Sequence, residues 1–311
     1  MTPELITSAQ NPKLKRLIAL QEKSRLRRED GLFVVEGQRE LEHCIEAGFE
    51  IDSVFICPEI YSEASALQSS AESGIPPEGR NTRGCTPENC HFSGAPRSIA
   101  GGPSRRDGGV SPKGGYHYPA ETRVFYLTKE LYEKVAYRGS TEGIIAEVKV
   151  KDRSLEDLQL KENPLIVVLE SVEKPGNLGA VLRSADAAGA DAVIICDPLT
   201  DLWNPNLIRA SIGAIFTVPT VACSSAEAIS FLKARGIQIL TAQLQDSSAY
   251  YDVDMTRGTA IVMGTESTGL TPVWREAADA HILIPMLGRL DSLNVSVSAA
   301  ILLYEALRQR H

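Results

Sequence analysis

The chain has 311 residues, of which 43% are hydrophobic, and a formal net charge of −8 at pH 7. This length and apolar content allow a substantial buried core and favour two domains over one. The acidic total excludes a protein that coats nucleic acid indiscriminately, although a local basic surface remains compatible with it.

The cysteines and the first residues bear on the cellular compartment. Six cysteines are scattered along the chain, without the density or spacing of a disulfide framework, which favours a reducing compartment. The opening MTPELITSAQNPKLKRL lacks the charged-then-apolar order of a signal peptide. No apolar run approaches the roughly 20 residues that a membrane helix needs. We therefore predict a cytoplasmic protein.

Residues 1–150 are predicted to form a small α/β domain. The stretch NPKLKRLIALQEKSRLRR, residues 11–28, has apolar side chains at helical spacing and many basic residues, interrupted by one acid, Glu22. It therefore predicts a basic helix. The next stretch, GLFVVEGQRELEHCIEAG, predicts a strand, a glycine turn and a helix that ends at Gly48, and IDSVFIC predicts another strand.

From about Ser62 to Ala120 the chain is rich in Gly, Pro and Ser and nearly free of large aliphatic residues. Such a segment cannot bury enough apolar surface to offset its ordering entropy, so we predict a disordered insertion. Alternation of strand and helix resumes in ETRVFYLTKELYEKVAYRGSTEGIIAEVKV, which indicates that the insertion interrupts the small domain. The insertion is either an RNA-binding tether or a tolerated surface loop.

One stretch of the insertion invites a zinc hypothesis. CTPENCH offers Cys85, Cys90 and His91 as ligands, but no second ligand pair has suitable spacing, so no metal is predicted.

Residues 151–311 are predicted to form a second domain, entered through the polar stretch KDRSLEDLQLKENP. Its predicted strands are short and β-branched, as is typical of strands buried on both faces: LIVVLE, DAVIIC, FTVPTVA, IQILTA, TAIVMG and HILIPM. Helical stretches lie between most of them. The pattern predicts a parallel α/β sheet whose ligands sit outside the carboxyl ends of the strands.

Three of the loops that follow these strands carry candidate functional residues. LESVEKPGNLGAVLRSADAAGADAVII contains a glycine-bearing turn that can expose backbone N–H groups to an anion, or is an ordinary strand-to-helix turn without a GxGxxG fingerprint. In IVMGTESTGL the glycines allow a ligand to approach the backbone, and Glu266 orients a substrate, holds an arginine or is a solvated carboxylate. In IPMLGRLDSLNVSVSAAILLYEALRQRH either Ser292 or Asn294 can cap the last helix, which leaves the other without a role.

In this order, PGNLGAVLRSADAAGADAVII, IVMGTESTGL and IPMLGRLDSLNVSVSAAILLYEA resemble the three motifs of the SpoU (TrmH) family of RNA ribose 2′-O-methyltransferases, within the SPOUT superfamily. The resemblance covers roughly residues 164–309, and NPKLKRL with GLFVVEGQRELEHCIEAG is similar to the family's small RNA-binding domain. It implies an α/β protein with a trefoil-knotted, parallel-sheet methyltransferase domain, S-adenosylmethionine as cofactor, and a homodimer. Periodicity alone indicates no knot.

The resemblance also implies roles for individual residues. The implied active-site residues are Arg183, Asn177, Glu266, Ser292 and Asn294, with Arg183 catalytic. The implied cofactor-binding residues are Gly264, Ile284, Leu293, Thr241 and Met286. The basic stretch at 11–28 either contacts RNA phosphates or is a solvated helix face, and its candidate RNA-binding residues are Lys13, Lys15, Arg16, Arg25, Arg27 and Arg28.

The implied reaction needs alignment and a route for a proton, because the ribose hydroxyl must lose its proton while it attacks the sulfonium methyl group. An arginine is a poor base at neutral pH, so Arg183 acts either as that base or as an electrostatic positioner.

The expected function is methylation of a ribose 2′-hydroxyl in structured RNA, with 23S-type ribosomal RNA favoured over transfer RNA. A non-catalytic RNA-binding or ribosome-assembly protein on the same fold is one alternative. A nicotinamide-dependent oxidoreductase is another, supported by the α/β sheet alone, which is a poor warrant for function. The target nucleotide depends on RNA shape, which the motifs do not encode.

Overall fold

The computed structural model of the protein describes residues 4–61, 122–137, 142–265, 268–289 and 292–311. The predicted insertion at 62–120, with Cys85, Cys90 and His91, lies outside the described residues, and so does Glu266. In the described part of the chain, no helix combines the length and the apolar character needed to cross a membrane.

The smaller sheet has the strand order β1-β4-β3-β5-β2. Its strands are β1 Glu4–Ile6, β2 Leu32–Glu36, β3 Ile51–Ile56, β4 Arg123–Leu127 and β5 Ile144–Lys149. β1 and β3 run parallel to β4, whereas β5 is antiparallel to β3 and β2. Because β3 pairs with both β4 and β5, the segments on either side of the insertion belong to one sheet.

The helices beside this sheet depart from the predicted single helix over 11–28. Among the described residues they are α1 Pro12–Glu22, α2 Ser24–Asp30, α3 Gln38–Glu46 and α4 Lys129–Val135. Lys23 adopts an extended conformation, with φ −112° and ψ 106°, and separates α1 from α2. The prediction of one continuous basic helix is therefore wrong, and the two halves of the basic stretch point in different directions.

The larger sheet is entirely parallel, with the strand order β10-β12-β9-β11-β6-β7-β8, which confirms the predicted α/β class. Its strands are β6 Leu165–Glu170, β7 Ala192–Cys196, β8 Thr220–Cys223, β9 Gln238–Ala242, β10 Ser248–Ala249, β11 Thr259–Met263 and β12 Ala280–Leu283. Two strands are shorter than predicted. β8 begins only after Pro219, and β12 ends before Pro285, because proline has no N–H for the ladder.

Helices cover both faces of the larger sheet. They are α5 Pro175–Ala187, α6 Pro205–Ser211, α7 Ala214–Thr217, α8 Ser225–Ala234, α9 Pro272–Ala277 and α10 Val295–Arg310. α5, α6 and α10 contribute to the core on one face, and α8 and α9 to the core on the other. This coverage explains why the strands read as continuous apolar runs. Passage of the last helix through a knot stays a prediction.

The strand order reverses between β6 and β11, which pair directly in the middle of the sheet. From β6 the chain continues through α5 to β7 on one side, whereas from β11 it continues through α9 to β12 on the other. The carboxyl ends at such a switch point are the usual position for a ligand in α/β proteins. The loops after β6 and β11 therefore start side by side.

An aromatic cluster joins the two sheets. Phe33 of β2 stacks on Trp203 with ring centroids 4.5 Å apart, and Phe49 meets Phe216 of α7 edge-on at 5.3 Å. Phe33 also lies 6.0 Å from Phe216. Because Phe216 packs here from a helix, the strand predicted for FTVPTVA is wrong at its beginning.

Glu170, the last residue of β6, holds the end of the loop that follows β11. Its side chain is 3% exposed. Its Oε2 accepts a hydrogen bond from the Thr271 backbone N–H (2.8 Å), and its Oε1 accepts one from the Thr271 hydroxyl (2.6 Å). Thr271 is the N-cap residue of α9. The carboxylate thus ties the start of the loop after β6 to the end of the loop after β11.

We expect Glu170→Gln to lower the free energy of unfolding by about 1–3 kcal/mol, because the amide replaces one acceptor oxygen and leaves a Thr271 donor unpaired. Urea denaturation of the full chain measures this. Glu173→Gln, at an exposed acid three residues later, is the matched control and should shift stability by less than about 0.5 kcal/mol. A Glu170→Gln protein as stable as the wild type would show that this carboxylate does not hold the loop.

Candidate active site at the carboxyl edge of the parallel sheet

A cavity of about 250 Å³ lies at the carboxyl ends of β6 and β11. Three separate stretches of the sequence line it: Val172, Glu173, Lys174 and Asn177 after β6, Gly264 and Thr265 after β11, and Val295 at the start of α10. This volume is slightly below the range of about 300–1,000 Å³ that is common for small-molecule sites. The three predicted motif loops therefore meet at one place.

Two larger cavities of the described residues, about 530 and 350 Å³, lie at the opposite edge of the sheet. Residues that precede β6, β9 and β11 line the first, and residues that precede β6 and β7 help to line the second. Neither contains a predicted site residue. Because ligands of parallel α/β sheets bind at the carboxyl edge, we assign the candidate site to the smaller cavity.

The loop after β6 enters α5 without a side-chain cap. The N-cap residue is Lys174, whose ammonium group cannot accept a hydrogen bond, and Pro175 occupies the first helical position. The first-turn N–H groups and the positive end of the helix dipole therefore suit an anionic ligand group. Lys174 lines the cavity although it was not among the predicted residues. The sequence signal that could have identified Lys174 as a site residue was its position beside Pro175 in this loop.

Gly179 of the same motif has a packing role. It lies inside α5, where an added Cβ would overlap the backbone and side chain of Ala210 and the backbone of Ser211. Glycine thus lets α5 and α6 approach closely. The turn that would face a ligand consists of the residues before Gly179.

The loop after β11 folds back on itself at Gly264. An added Cβ there would overlap the carbonyl of Gly269. The Gly269 N–H donates to the Thr265 carbonyl (3.0 Å), and the Thr265 and Thr268 hydroxyls are 2.7 Å apart. Gly269 itself has φ +66°, in the left-handed region that glycine tolerates. Glycine at position 264 therefore lets the loop close against Gly269, and Gly264 and Thr265 line the cavity.

Asn294 caps α10 and connects it to α5. Its Oδ1 accepts from the Ser296 N–H (3.0 Å) and the Ser296 hydroxyl (2.6 Å), while its Nδ2 donates to Asn177 Oδ1 (3.1 Å). The sequence left open which residue caps the last helix, and the structure shows that Asn294 does. Ser292 is exposed two residues earlier. The first and third motifs are thus joined through two asparagine side chains.

Arg183 does not line the cavity. It is exposed on α5, six residues after Asn177. That spacing places it about 9 Å further along the helix axis and about 240° around it. Within one chain, Asn177 and Arg183 therefore face different directions.

The predicted cofactor residues occupy different environments. Gly264 lines the cavity, whereas Thr241 is fully buried, with its hydroxyl 2.6 Å from Nδ1 of His281 on the neighbouring strand. Ile284 and Met286 are half-buried after β12, and the Leu293 side chain is 37% exposed. Apart from Gly264, these residues do not line the cavity, and their contact with a cofactor stays a prediction.

The prediction that Arg27 contacts RNA is wrong. Its side chain is 3% exposed, and its guanidinium donates to Asp201 (2.6 Å) and to the Leu20 carbonyl (2.6 Å). The break at Lys23 turns Arg27 inward, against the loop that precedes α6. Its guanidinium is therefore held by buried partners inside the protein.

The other five basic residues lie at the surface or near it. Lys13 pairs with Glu4, Arg16 with Asp30 and Arg25 with Glu29. Lys15 and Arg28 are exposed, and no acidic side chain of the described residues pairs with them. These two are the strongest candidates for contact with phosphate.

Comparison with known proteins agrees with the geometry. Residues 164–304 match the model of the SpoU rRNA Methylase family, and residues 11–75 match that of the MRM3-like substrate binding domain. The 23S rRNA (guanosine-2′-O-)-methyltransferase RlmB of Vibrio vulnificus is 37% identical over 190 residues, which are 59% of this chain and 77% of that protein.

Solved structures agree as well. The crystal structure of an RNA 2′-O ribose methyltransferase matches with a TM-score of 0.70 and 32% identity, over 99% of both chains. The AdoMet-bound rRNA methyltransferase from Sinorhizobium meliloti matches with a TM-score of 0.75 over 98% of this chain and 97% of its own, and at 23% identity it shows the shared fold.

The similarity to RlmB extends over more than three quarters of that protein, and the family model covers all three loops that meet at the cavity. This chain belongs to the SpoU rRNA methylase family.

Proposed function

We propose that this protein methylates a ribose 2′-hydroxyl of structured RNA, with 23S-type ribosomal RNA as substrate and S-adenosylmethionine as methyl donor. The observation that carries the proposal is the meeting of three motif loops at one cavity. The Vibrio vulnificus relative acts on a guanosine of 23S rRNA, which favours ribosomal over transfer RNA. A cytoplasmic location is part of the same proposal.

The residues at the cavity fit this cofactor. Gly264 lines the cavity, and the start of α5 suits a carboxylate. The cofactor supplies an electrophilic methyl group. The chain must bind it, hold the ribose in line with it and accommodate the proton of the hydroxyl.

Asn177 and Asn294 are the proposed positioning groups for the ribose. Each amide carries both donors and an acceptor, and the hydrogen bond between them fixes their relative orientation. Asn294 is further held by its capping contacts with Ser296. A ribose hydroxyl placed against this pair would lose little orientational freedom at the reaction step.

Arg183 is the proposed electrostatic group. Its guanidinium stays protonated at neutral pH, so it can hold an RNA phosphate and stabilise the developing alkoxide, while a group other than Arg183 takes the proton. Its exposure suits contact with RNA. Its position outside the cavity is also the one observation that favours the non-catalytic alternative.

A second copy of the chain would account for this placement. α10 buries Val295, Ala299, Leu302 and Leu303 on one side yet exposes Val297 (47%) and Tyr304 (51%) on the other. An exposed apolar pair one heptad apart on an otherwise buried helix suits contact with a second partner. α5, which carries the exposed Arg183, packs along α10, so we propose that a copy docked on this face also approaches Arg183. We therefore include a homodimer in the proposal.

We expect wild-type protein to transfer labelled methyl groups from S-adenosylmethionine to ribosomal RNA that lacks its own modifications, giving a 2′-O-methylated nucleoside. Arg183→Ala should reduce turnover by about 100-fold or more, because a charged contact to the reacting group is lost, and should leave cofactor affinity within about twofold. Arg275→Ala, at an exposed arginine of α9, is the matched control. Full turnover by Arg183→Ala would remove that residue from the mechanism, and cofactor binding by the wild type without any transfer would support the non-catalytic alternative.

We expect Lys15→Ala with Arg28→Ala to weaken RNA binding and to reduce the slope of log affinity against log salt by about 1.5–2, since each lost phosphate contact removes about 0.7–0.9. Filter binding across a salt series measures both. The matched control is Lys233→Ala with Arg275→Ala. It removes the same charge from the face of the larger sheet that α8 and α9 cover, and it should leave the slope unchanged. Arg27→Met should lower stability without changing the slope, and equal slopes for all three variants would refute the proposed contact.

We expect wild-type protein to sediment as a dimer, and Val297→Glu with Tyr304→Glu to sediment as a monomer that has lost methyl transfer, because two carboxylates would be buried in the interface. Leu199→Glu, at a residue that is 62% exposed after β7, is the matched control and should remain dimeric. A wild-type monomer with full activity would contradict the dimer.

A further inference from the structure

Two cysteines lie side by side at one edge of the larger sheet. Cys196 and Cys223 are the last residues of β7 and β8 and are direct partners in the parallel ladder. Both are free thiols. Adjacent strands are about 4.7–4.9 Å apart, which lies within the Cα separation of about 4.4–6.8 Å that a disulfide spans. Both side chains pack on the same core, beneath α8, so the two sulfur atoms are on the same face.

The two thiols have different environments. Cys196 is fully buried, whereas Cys223 is half-buried on β8, the terminal strand of the sheet within the described residues. Cys223 also lies one residue before Ser224, the N-cap of α8, where the helix dipole favours an anion. Cys223 is therefore the more accessible thiol and the better site for a negative charge.

A hydrogen bond between the thiols adds to this difference. It raises the pKa of Cys196, which burial raises further, and it lowers the pKa of Cys223. A lower pKa gives a larger thiolate fraction at neutral pH, and the thiolate is the reactive form. Cys223 is thus suited to react first, and Cys196 is placed to react second.

We propose that Cys196 and Cys223 form a redox-active dithiol that peroxide closes to an intramolecular disulfide. The Cys223 thiolate attacks one peroxide oxygen, which breaks the O–O bond and, after protonation of the leaving hydroxide, gives a sulfenic acid and water. Cys196 then attacks the sulfenic sulfur and gives the disulfide and a second water. In balance, two thiols and one hydrogen peroxide give one disulfide and two waters.

This site is separate from the methylation site. Neither cysteine lines the cavity at β6 and β11. The pair does adjoin Asp197 and Ser225, where the Ser225 hydroxyl donates to Asp197 (2.6 Å) and accepts from Trp274 Nε1 (3.0 Å). A disulfide between two adjacent cysteines is reduced by thiol–disulfide exchange with a dithiol. Closure should therefore be reversible by a dithiol reductant.

The test is oxidation of the full chain with hydrogen peroxide, in a Cys85→Ser, Cys90→Ser background, followed by non-reducing peptide mapping. We expect a peptide pair linked through Cys196 and Cys223 that dithiothreitol separates. In the further Cys196→Ala variant, we expect a sulfenic acid trapped at Cys223 by dimedone and slower alkylation of Cys223 by iodoacetamide, since alanine cannot donate the stabilising hydrogen bond.

Cys44 is the internal control, because burial raises the pKa of its thiol and should protect it. Faster oxidation of Cys44 than of Cys223, links between chains, or conversion of Cys223 to a sulfinic acid with Cys196 still free would each overturn the proposal. The wild-type mapping decides the question even if a substituted variant folds poorly.

Discussion

The site depends on the direct parallel pairing of β6 with β11. Leu169 lies opposite Met263 in this ladder, so the two strands end almost in step. Their following loops must then leave the sheet side by side, although about ninety residues separate them along the chain. Glu170, the last residue of β6, stabilises this arrangement because its carboxylate accepts two hydrogen bonds from Thr271, where the second loop ends. The cavity is thus a consequence of strand register, completed by the start of α10.

The contacts between the two sheets determine where RNA bound by the domain of the smaller sheet would lie relative to the cavity of the larger sheet. The stacked rings of Phe33 and Trp203 supply apolar contact, which is the stabilising part of this interface. The buried pair of Arg27 and Asp201 is weak evidence for stability, because removing two charges from water offsets most of their attraction. Its directional hydrogen bonds instead specify how α2 meets the loop before α6.

Much of the fold could be predicted because local sequence patterns specify it. Buried β-branched runs indicated the parallel sheet, and glycine at position 264 indicated a close backbone approach. The failures at Arg27 and Phe216 have one cause, which is a partner distant in sequence. Periodicity could not reveal that Arg27 meets Asp201, 174 residues away, or that Phe216 leaves a strand pattern to join Phe33 and Phe49. The bond between Asn177 and Asn294, 117 residues apart, was likewise invisible.

The position of Arg183 links catalysis to assembly. One chain brings Asn177, Gly264 and Val295 to the cavity but directs Arg183 to solvent on the adjacent helix. α10, which packs along that helix, exposes Val297 and Tyr304, on which we propose that a second copy docks. If that copy covers the exposed face of α10, it desolvates the surroundings of Arg183 and strengthens its interaction with a phosphate or alkoxide. In that case the exposed apolar face of the last helix would serve the chemistry as well as the stability of the proposed dimer.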